Sequence, residues 1–368
     1  MMLSTAQDRA RAWLFRQALP LWADAGIDAE GRFFEKLDFD GRPITGRPRR
    51  TRVQARQVYV FAEAASLGWA EGAEIARRGL DVLIRDYRRD DGLWVRSVDD
   101  AGAVIDATPD LYDLAFVLFA LAAAHRVLKD ERARPLALET LAAIETHMAD
   151  PVHGGWQEAL PAVLPRRQNP HMHMLEALLA WQAVAPDPAF EAAARSVLDL
   201  FNRRFFDREH LMLGEFFTAD WSIAHGSPGQ VVEPGHHMEW IWLLDQARRL
   251  GLDGCDRLAQ ALFASALTNG VNAQGLMVRE IDRIGVVRDG GHRLWGQTEA
   301  IRTFLLRGRT ERAQTLTDTL FATHLATAVP GLWIDNFTAD GAPQDADVPA
   351  STLYHLMTAF SALLTDPA

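Results

Sequence analysis

Cysteine is almost missing from this chain. Cys255 is the one cysteine in 368 residues, so no disulfide can form within the chain, and a reducing compartment such as the cytoplasm is expected. In GLDGCDRLAQALF no base stands beside Cys255, which makes it a core or near-surface thiol rather than a nucleophile. Basic excess is missing too: the formal net charge is −11, which excludes the positive face that nucleic-acid or anionic-membrane binding needs. Long apolar runs are scarce. The longest, from Leu111 to Ala124, is interrupted by Asp113 and reads as too short to cross a bilayer. The N-terminal MMLSTAQDRARAWLFRQALPLW carries early charges and no continuous apolar segment, unlike a signal peptide. There is no G-x-G-x-x-G after a strand, no P-loop, no G-x-S-x-G and no HExxH, so the common nucleotide, acyl-transfer and zinc-protease signatures are excluded. Closely spaced Cys, His and Asp ligands are also lacking. No metal and no cofactor is therefore expected.

What is present is a repeat. Short stretches with glycine, an aromatic and alternating residues recur: GRFFEKLDFDGRP from Gly31, GLWVRSVDDAG from Gly92, GGWQEA from Gly154, LMLGEFFTADW from Leu211, GLMVREIDRIG from Gly275 and GLWIDNFTADG from Gly331. They start 56 to 64 residues apart, and each reads as a small hairpin or extended loop. Between them lie segments with apolar residues at i, i+3, i+4 and i+7. That predicts about twelve helices in six hairpins, with 48% hydrophobic residues to fill one core. The first helix of each later pair is rich in aromatics with odd polar residues. The second is rich in Ala, Arg and Glu, like a solvent-facing layer. The period suits an open solenoid or a closed ring with two layers of helices; a closed ring needs no polar capping repeat, and the last helix, STLYHLMTAFSALL, ends on apolar residues. The expectation is therefore an all-α fold: an (α/α)6 barrel of six helical hairpins with short β-hairpin loops at one end, formed by residues 1–368 as a single domain. Its inner-helix starts would surround one central cavity.

Those starts carry residues that packing does not call for. In EPGHHMEWIWLL, His236, Glu239, Trp240 and Leu243 share one helical face. First-turn placement near the positive helix end favours a neutral imidazole, able to act as a base, with Glu239 one turn on to receive its N–H. In NPHMHMLEALLAW, His173 and Glu176 can share a face, whereas His171 and His173 cannot. His292, Trp295 and Glu299 have near-helical spacing in GGHRLWGQTEAIR, and His355 interrupts the apolar helix in ASTLYHLMTAF. Arg49, Arg50 and Arg52 read as a solvated face, while Arg56 lies among Val53, Val58, Val60 and Phe61 on an inner helix. Tyr112 is a further polar tip at a helix start. A bland alternative stands beside each: polar caps at a rim for His236, a satisfied core histidine for His355.

Taken in order, QARQVYVFA (54–62), LYDLAF (111–116), MHMLEA (172–177), PGHHMEWIWLL (234–244), LWGQTEA (294–300) and LYHL (353–356) give a chain that resembles the N-acylglucosamine 2-epimerase superfamily, which includes mannose isomerase, sulfoquinovose isomerase and cellobiose 2-epimerase. The resemblance implies the (α/α)6 barrel and a metal-free site in which His236 and His355 are the acid/base pair. It further implies a sugar-binding Arg56, a histidine of the N-x-x-x-H-x-x-E-A motif at His173, and a W-x-Q-x-E segment at Trp295, Gln297 and Glu299. Tyr112 and Trp240 would be sugar-contacting walls. His171 stands where relatives often have Asn. Members that isomerise mannose-type sugars tend to read G-H-x-x-E-W, as here.

The expected activity is aldose–ketose isomerisation of D-mannose or a related aldose to D-fructose. His355 would carry the C1/C2 proton through a cis-enediol and His236 would assist ring opening and shuttle protons at oxygen, or the two would exchange these roles. Arg56 would stabilise oxyanion charge. The partner is thus a small monosaccharide, and a homo-oligomer is compatible. Alternatives are a sugar 2-epimerase, which returns the proton to C2 from the opposite face, an (α/α)6 glycosidase or lyase using Asp110, Asp113 or Glu176, and a non-catalytic sugar-binding protein.

Overall fold

The computed structural model of the protein describes residues 2–252 and 255–365. Its helices are α1 (Met2–Trp13), α2 (Leu19–Asp24), α3 (Thr51–Ser66), α4 (Gly72–Val82), α5 (Leu111–Ala123), α6 (Ala133–His147), α7 (Asn169–Val184), α8 (Pro188–Leu200), α9 (Pro234–Arg249), α10 (Asp256–Asn269), α11 (Leu294–Leu306), α12 (Thr310–Ala322) and α13 (Leu353–Thr365). Six of them form a closed inner ring. α3 packs on α5, α5 on α7, α7 on α9, α9 on α11, α11 on α13, and α13 returns to α3. Around this ring lie α4, α6, α8, α10 and α12, each against the inner helix that precedes it, with α1 on α13 and α12. The (α/α)6 barrel read from the period is therefore the fold.

The composition of each layer follows from what it touches. The inner α5 buries Leu114, Phe116, Leu118 and Leu121, and each such side chain contributes about 1.5–3 kcal/mol relative to exposure. That explains its unbroken apolar character. Carried through the wider turn Ala124–Leu128, this run reaches 18 residues, 72% of them buried inside the protein, longer than the sequence reading allowed. It is a wall of the ring. The outer α4 and α8 instead bury one stripe each, Ala76, Gly79, Leu80 and Val82 in α4, and Phe190, Ala194 and Val197 in α8.

Links at the two ends of the barrel differ. At the C-terminal ends of the inner helices they are short: Ser66 to Gly72, Val184 to Pro188, Leu306 to Thr310. At the N-terminal ends lie the six repeated stretches, five of them carrying two- or three-residue strands and the third held by single bridges such as Ala149 with Trp156. Several begin with a turn that closes a bridge, such as Ile27 with Phe33, Arg88 with Trp94 and Val271 with Met277. The turn residues Gly31, Gly92 and Gly275 have φ of +95°, +81° and +83°, a conformation that costs side-chain-bearing residues energy. In the fourth repeat Leu211 takes this left-handed role at φ +56°. Lys36–Leu37 pairs antiparallel with Val348–Pro349, so the first and last repeats join at this end also.

The expected solvated arginine face is a correction. Arg49 is buried between Asp28 and Asp100, Arg50 bonds Glu35, and Arg52 bonds Asp113. Buried or half-buried cations need such partners, and spacing alone does not reveal carboxylates supplied by other repeats. Cys255, just before α10, is half-buried.

Candidate active site

The parallel inner helices deliver their first turns to one small cavity of about 140 Å3. It is lined by Arg56 from α3, Tyr112 from α5, Asn169 and His173 from α7, Glu233, His236 and Glu239 at the start of α9, Arg293 and Trp295 at α11, and Ser351, Thr352 and His355 at α13. Of the residues singled out in the sequence, Arg56, Tyr112, His173, His236, Glu239, Trp295 and His355 converge there.

Three imidazoles are each held through Nδ1 by a buried carboxylate. His236 donates to Glu215, whose oxygens both lie at 3.0 Å. His355 donates to Glu299 Oε1 at 2.9 Å. His173 donates to Glu176 Oε2 at 3.0 Å. Each carboxylate is fixed from behind: Glu215 by Gln168 Nε2 at 2.9 Å, Glu299 by Arg302 Nη1 at 2.8 Å, and Glu176 by the Tyr354 hydroxyl. Fixing Nδ1 this way leaves Nε2 as the working atom of the ring. The indole of Trp295 lies between two of them, 4.8 Å from His236 and 6.0 Å from His355, centre to centre. Gly235 permits this, since a Cβ there would meet Trp295 at 2.7 Å. Arg56 donates from Nη2 to the Tyr112 hydroxyl at 2.6 Å and lies 3.9 Å from the Phe116 ring centre.

The rings differ in charge. Burial presses His236 downward, but the carboxylates Glu215 and Glu233 outweigh it and push it up to about 10. His236 is therefore a cation at neutral pH, with N–H on both nitrogens. Its Nε2 lies 3.3 Å from the Asn169 amide nitrogen, and Asn169 Oδ1 has no partner. A half-turn of the amide, a freedom such side chains have, sets Oδ1 against Nε2–H. The neutral ring expected from the helix dipole is thus corrected: two carboxylates within contact outweigh a partial charge. His355 goes the other way. Burial, then the Arg56 charge, hold it well below the ordinary histidine value, so it is neutral with a lone pair on Nε2. His173 is lowered by burial, against the pull of Glu176. Glu239 is driven well up by burial and by Glu299 and Glu176, which favours its protonated form.

Three groupings bring ligating atoms within 4.8 Å of one another: His173 with Glu176 and Glu239, Glu215 with Glu233 and His236, and Glu239 with Glu299 and His355. In each the imidazole Nδ1 faces a carboxylate as a proton donor, an arrangement for sharing a proton rather than ligating an ion.

Several expectations are corrected. Glu239 does not orient His236; Glu215 does, and Glu239 Oε1 lies 3.7 Å from His173 Nδ1. Trp240 is no sugar wall. It is fully buried, stacks on Phe201 at 4.3 Å, and donates to Gln168 Oε1 at 2.7 Å. Gln297 braces the strand before it, accepting from Met277 N and donating to Met277 O and Arg293 O. His171 accepts the Trp156 N–H at 3.1 Å within an aromatic cluster. Glu176 and Glu299 act from behind the cavity wall. His292 pairs with His324 and stacks on Phe337. Asp110 caps α5, Asp113 pairs with Arg52, and neither lines the cavity, so the carboxylate pair a glycosidase requires is not formed by them. Sequence reasoning missed Glu215, Glu233, Asn169, Arg293 and Arg302 as participants. Glu215 did carry a signal, as an acid amid the apolar LMLGEFF.

Residues 32–359 match the family described as N-acylglucosamine 2-epimerase. The chain belongs to this family. Among curated proteins it is 37% identical to the mannose-6-phosphate isomerase of Rhizobium meliloti (strain 1021), covering 94% of each chain. It is 30% identical to the D-mannose isomerase of Thermobifida fusca, over 84% of this chain and 81% of that one. In fold it is similar to the cellobiose 2-epimerase of Bacillus thermoamylovorans B4167, with a TM-score of 0.88 at 21% identity, covering 98% of this chain and 99% of that one. The proteins it is similar to thus include both isomerases and an epimerase.

Proposed function

We propose that this chain is an aldose–ketose isomerase for a free hexose of the mannose type, working through its own side chains without a metal. The single observation that carries this is the pairing across one cavity of a neutral His355 with a cationic His236. Moving a hydrogen between C2 and C1 needs a base for carbon and an acid for oxygen at the same moment. His355 Nε2 takes the C2 proton while His236 Nε2–H supplies one to O1, giving a cis-enediol. O2–H then returns its proton to His236, and His355 delivers its proton to C1. Arg56 donates to the oxygen on which charge develops, Glu239 faces the sugar hydroxyls, and Trp295 and Tyr112 bound the ring.

Epimerisation at C2 is the second reading, since it uses the same proton carriers and differs in the face of return. We further infer that the whole chain acts as one unit in the cytoplasm. The test is incubation in D2O with EDTA of mannose, mannose 6-phosphate, N-acetylmannosamine and cellobiose, each alone. Fructose from mannose with deuterium at C1 supports the proposal. Glucose without accumulated ketose selects the epimerase. Loss of turnover with EDTA, or turnover of the phosphate ester alone, overturns the stated form.

A further inference from the structure

Arg302 is far from the cavity mouth, yet it is bound into the site. It sits two turns into α11, only 4% exposed, with its guanidinium 4.5 Å from the Trp242 ring centre. Its Nη1 donates to Glu299 Oε2, and the other Glu299 oxygen accepts from His355 Nδ1. Glu299 has no exposure at all. A buried carboxylic group with no cation beside it takes up a proton. Once protonated, Glu299 donates to Nδ1 rather than accepting from it. The ring proton of neutral His355 then moves to Nε2, and the lone pair turns away from the cavity.

We propose that Arg302 is a positioning residue that selects the reactive tautomer of His355: by keeping Glu299 a carboxylate it holds the ring proton on Nδ1 and leaves the Nε2 lone pair facing the sugar. This rests on the reading of His355 as the carbon base. The other groups around the pair are accounted for. Glu239 from α9 meets both Glu299 and His355, and its own carboxyl is driven well up by burial. Burial raises the Glu299 carboxyl, and Arg302 first, then His173 from α7 and His236 from α9, act against that rise. Glu176 from α7 is committed to His173 and Tyr354. Arg56 from α3 faces His355 and favours its neutral ring. Tyr354 stacks edge-on against His355 at 4.7 Å, and Tyr59 from α3 faces Arg302. Among these groups Arg302 is the one, besides His355 itself, that donates a hydrogen bond to Glu299, and it takes Oε2, which leaves Oε1 for the ring.

The test reads the tautomer itself. In 15N-histidine-labelled protein, with the His355 signals located by comparison with His355→Gln, the native ring shows the protonated Nδ1 pattern. Arg302→Met is expected to move it to the protonated Nε2 pattern, lower kcat by 100-fold or more with KM changed less than threefold, and raise the acidic limb of the kcat profile because Glu299 must now lose its proton first. Arg302→Lys is expected to restore the native tautomer and most of kcat. Glu299→Gln, whose amide donates to Nδ1, should give the same tautomer shift, and the double variant should be no worse than Glu299→Gln alone. An unchanged His355 pattern in Arg302→Met overturns the proposal whatever happens to the rate. If that variant does not fold, an unchanged pattern in Glu299→Gln does the same. Because the spectrum needs no substrate, failure of the isomerase reading would show separately, as inactivity of the native protein on every sugar.

Discussion

Glu215, from the hairpin of the fourth repeat, holds Nδ1 of His236 with both oxygens at 3.0 Å. Glu215, with Glu233 beside it, thus sets the charge of a ring that the sequence placed at a helix start. Glu215→Gln removes the larger of the two contributions. The basic limb of kcat/KM, set near pH 10 by His236, is expected to fall toward the ordinary histidine range, with about 10²-fold lost at pH 9. The same pair bears on stability. A ring whose folded value is raised contributes stability that is complete below about pH 6.5 and lost as pH rises toward about 10. Thermal melts from pH 6 to 10 should slope downward in the native protein and flatten in Glu215→Gln.

His355 has the opposite sign. Its neutral form is the folded form, so its contribution is complete above about pH 6.5 and is lost as pH falls below that value, where the unfolded ring takes a proton and the buried one does not. His355→Asn should cut turnover of mannose by about 10³-fold while shifting the acid-unfolding midpoint lower. Circular dichroism against pH and a coupled fructose assay check the two halves.

The two tryptophans expected at the sugar should separate. Trp240→Phe strands Gln168 Oε1 in the core and is expected to cost about 1–3 kcal/mol of stability, seen in denaturant titration, with KM little changed. Trp295→Phe should leave the midpoint within about 0.5 kcal/mol and raise KM. A KM effect from Trp240 and none from Trp295 would reverse the assignment.

Arg56 offers a planar fork to Tyr112 and to the cavity, and lysine reproduces only its charge. Arg56→Lys is therefore expected to lose about 10²-fold in kcat and to bind sugar nearly as well. Steady-state kinetics at saturating mannose would show a defect confined to KM if Arg56 served binding alone.

Much of this was legible in the sequence. The 56- to 64-residue spacing gave the six-fold ring, because each repeat must place one turn and one inner helix in the same relation to its neighbour. His236, His173, His355 and Arg56 were visible as polar residues on inner-helix starts. Of their partners, Glu176, one turn from His173, was visible, and the others were not. Glu215, Gln168 and Arg302 act across repeats or from behind the wall, and no spacing rule links residue 215 to residue 236. The same blindness misled for Trp240 and His171. A polar-tipped aromatic in a motif reads as a contact to ligand, whereas here a backbone N–H or a neighbouring amide in the core uses that tip. The outer arginines erred likewise, since their carboxylates arrive from other loops.

The barrel's two ends divide the work of evolution between them. Short links at the far end fix how the helices stand, whereas the long strand-paired loops after each outer helix frame the mouth and, in the fourth repeat, supply Glu215 to His236. Outside that hairpin, loops that send no side chain to an imidazole are free to lengthen, shorten or be exchanged while the ring keeps the three imidazoles aligned. A library built by grafting loop segments such as 97–106 or 280–289 would therefore retool sugar preference on an unchanged chassis.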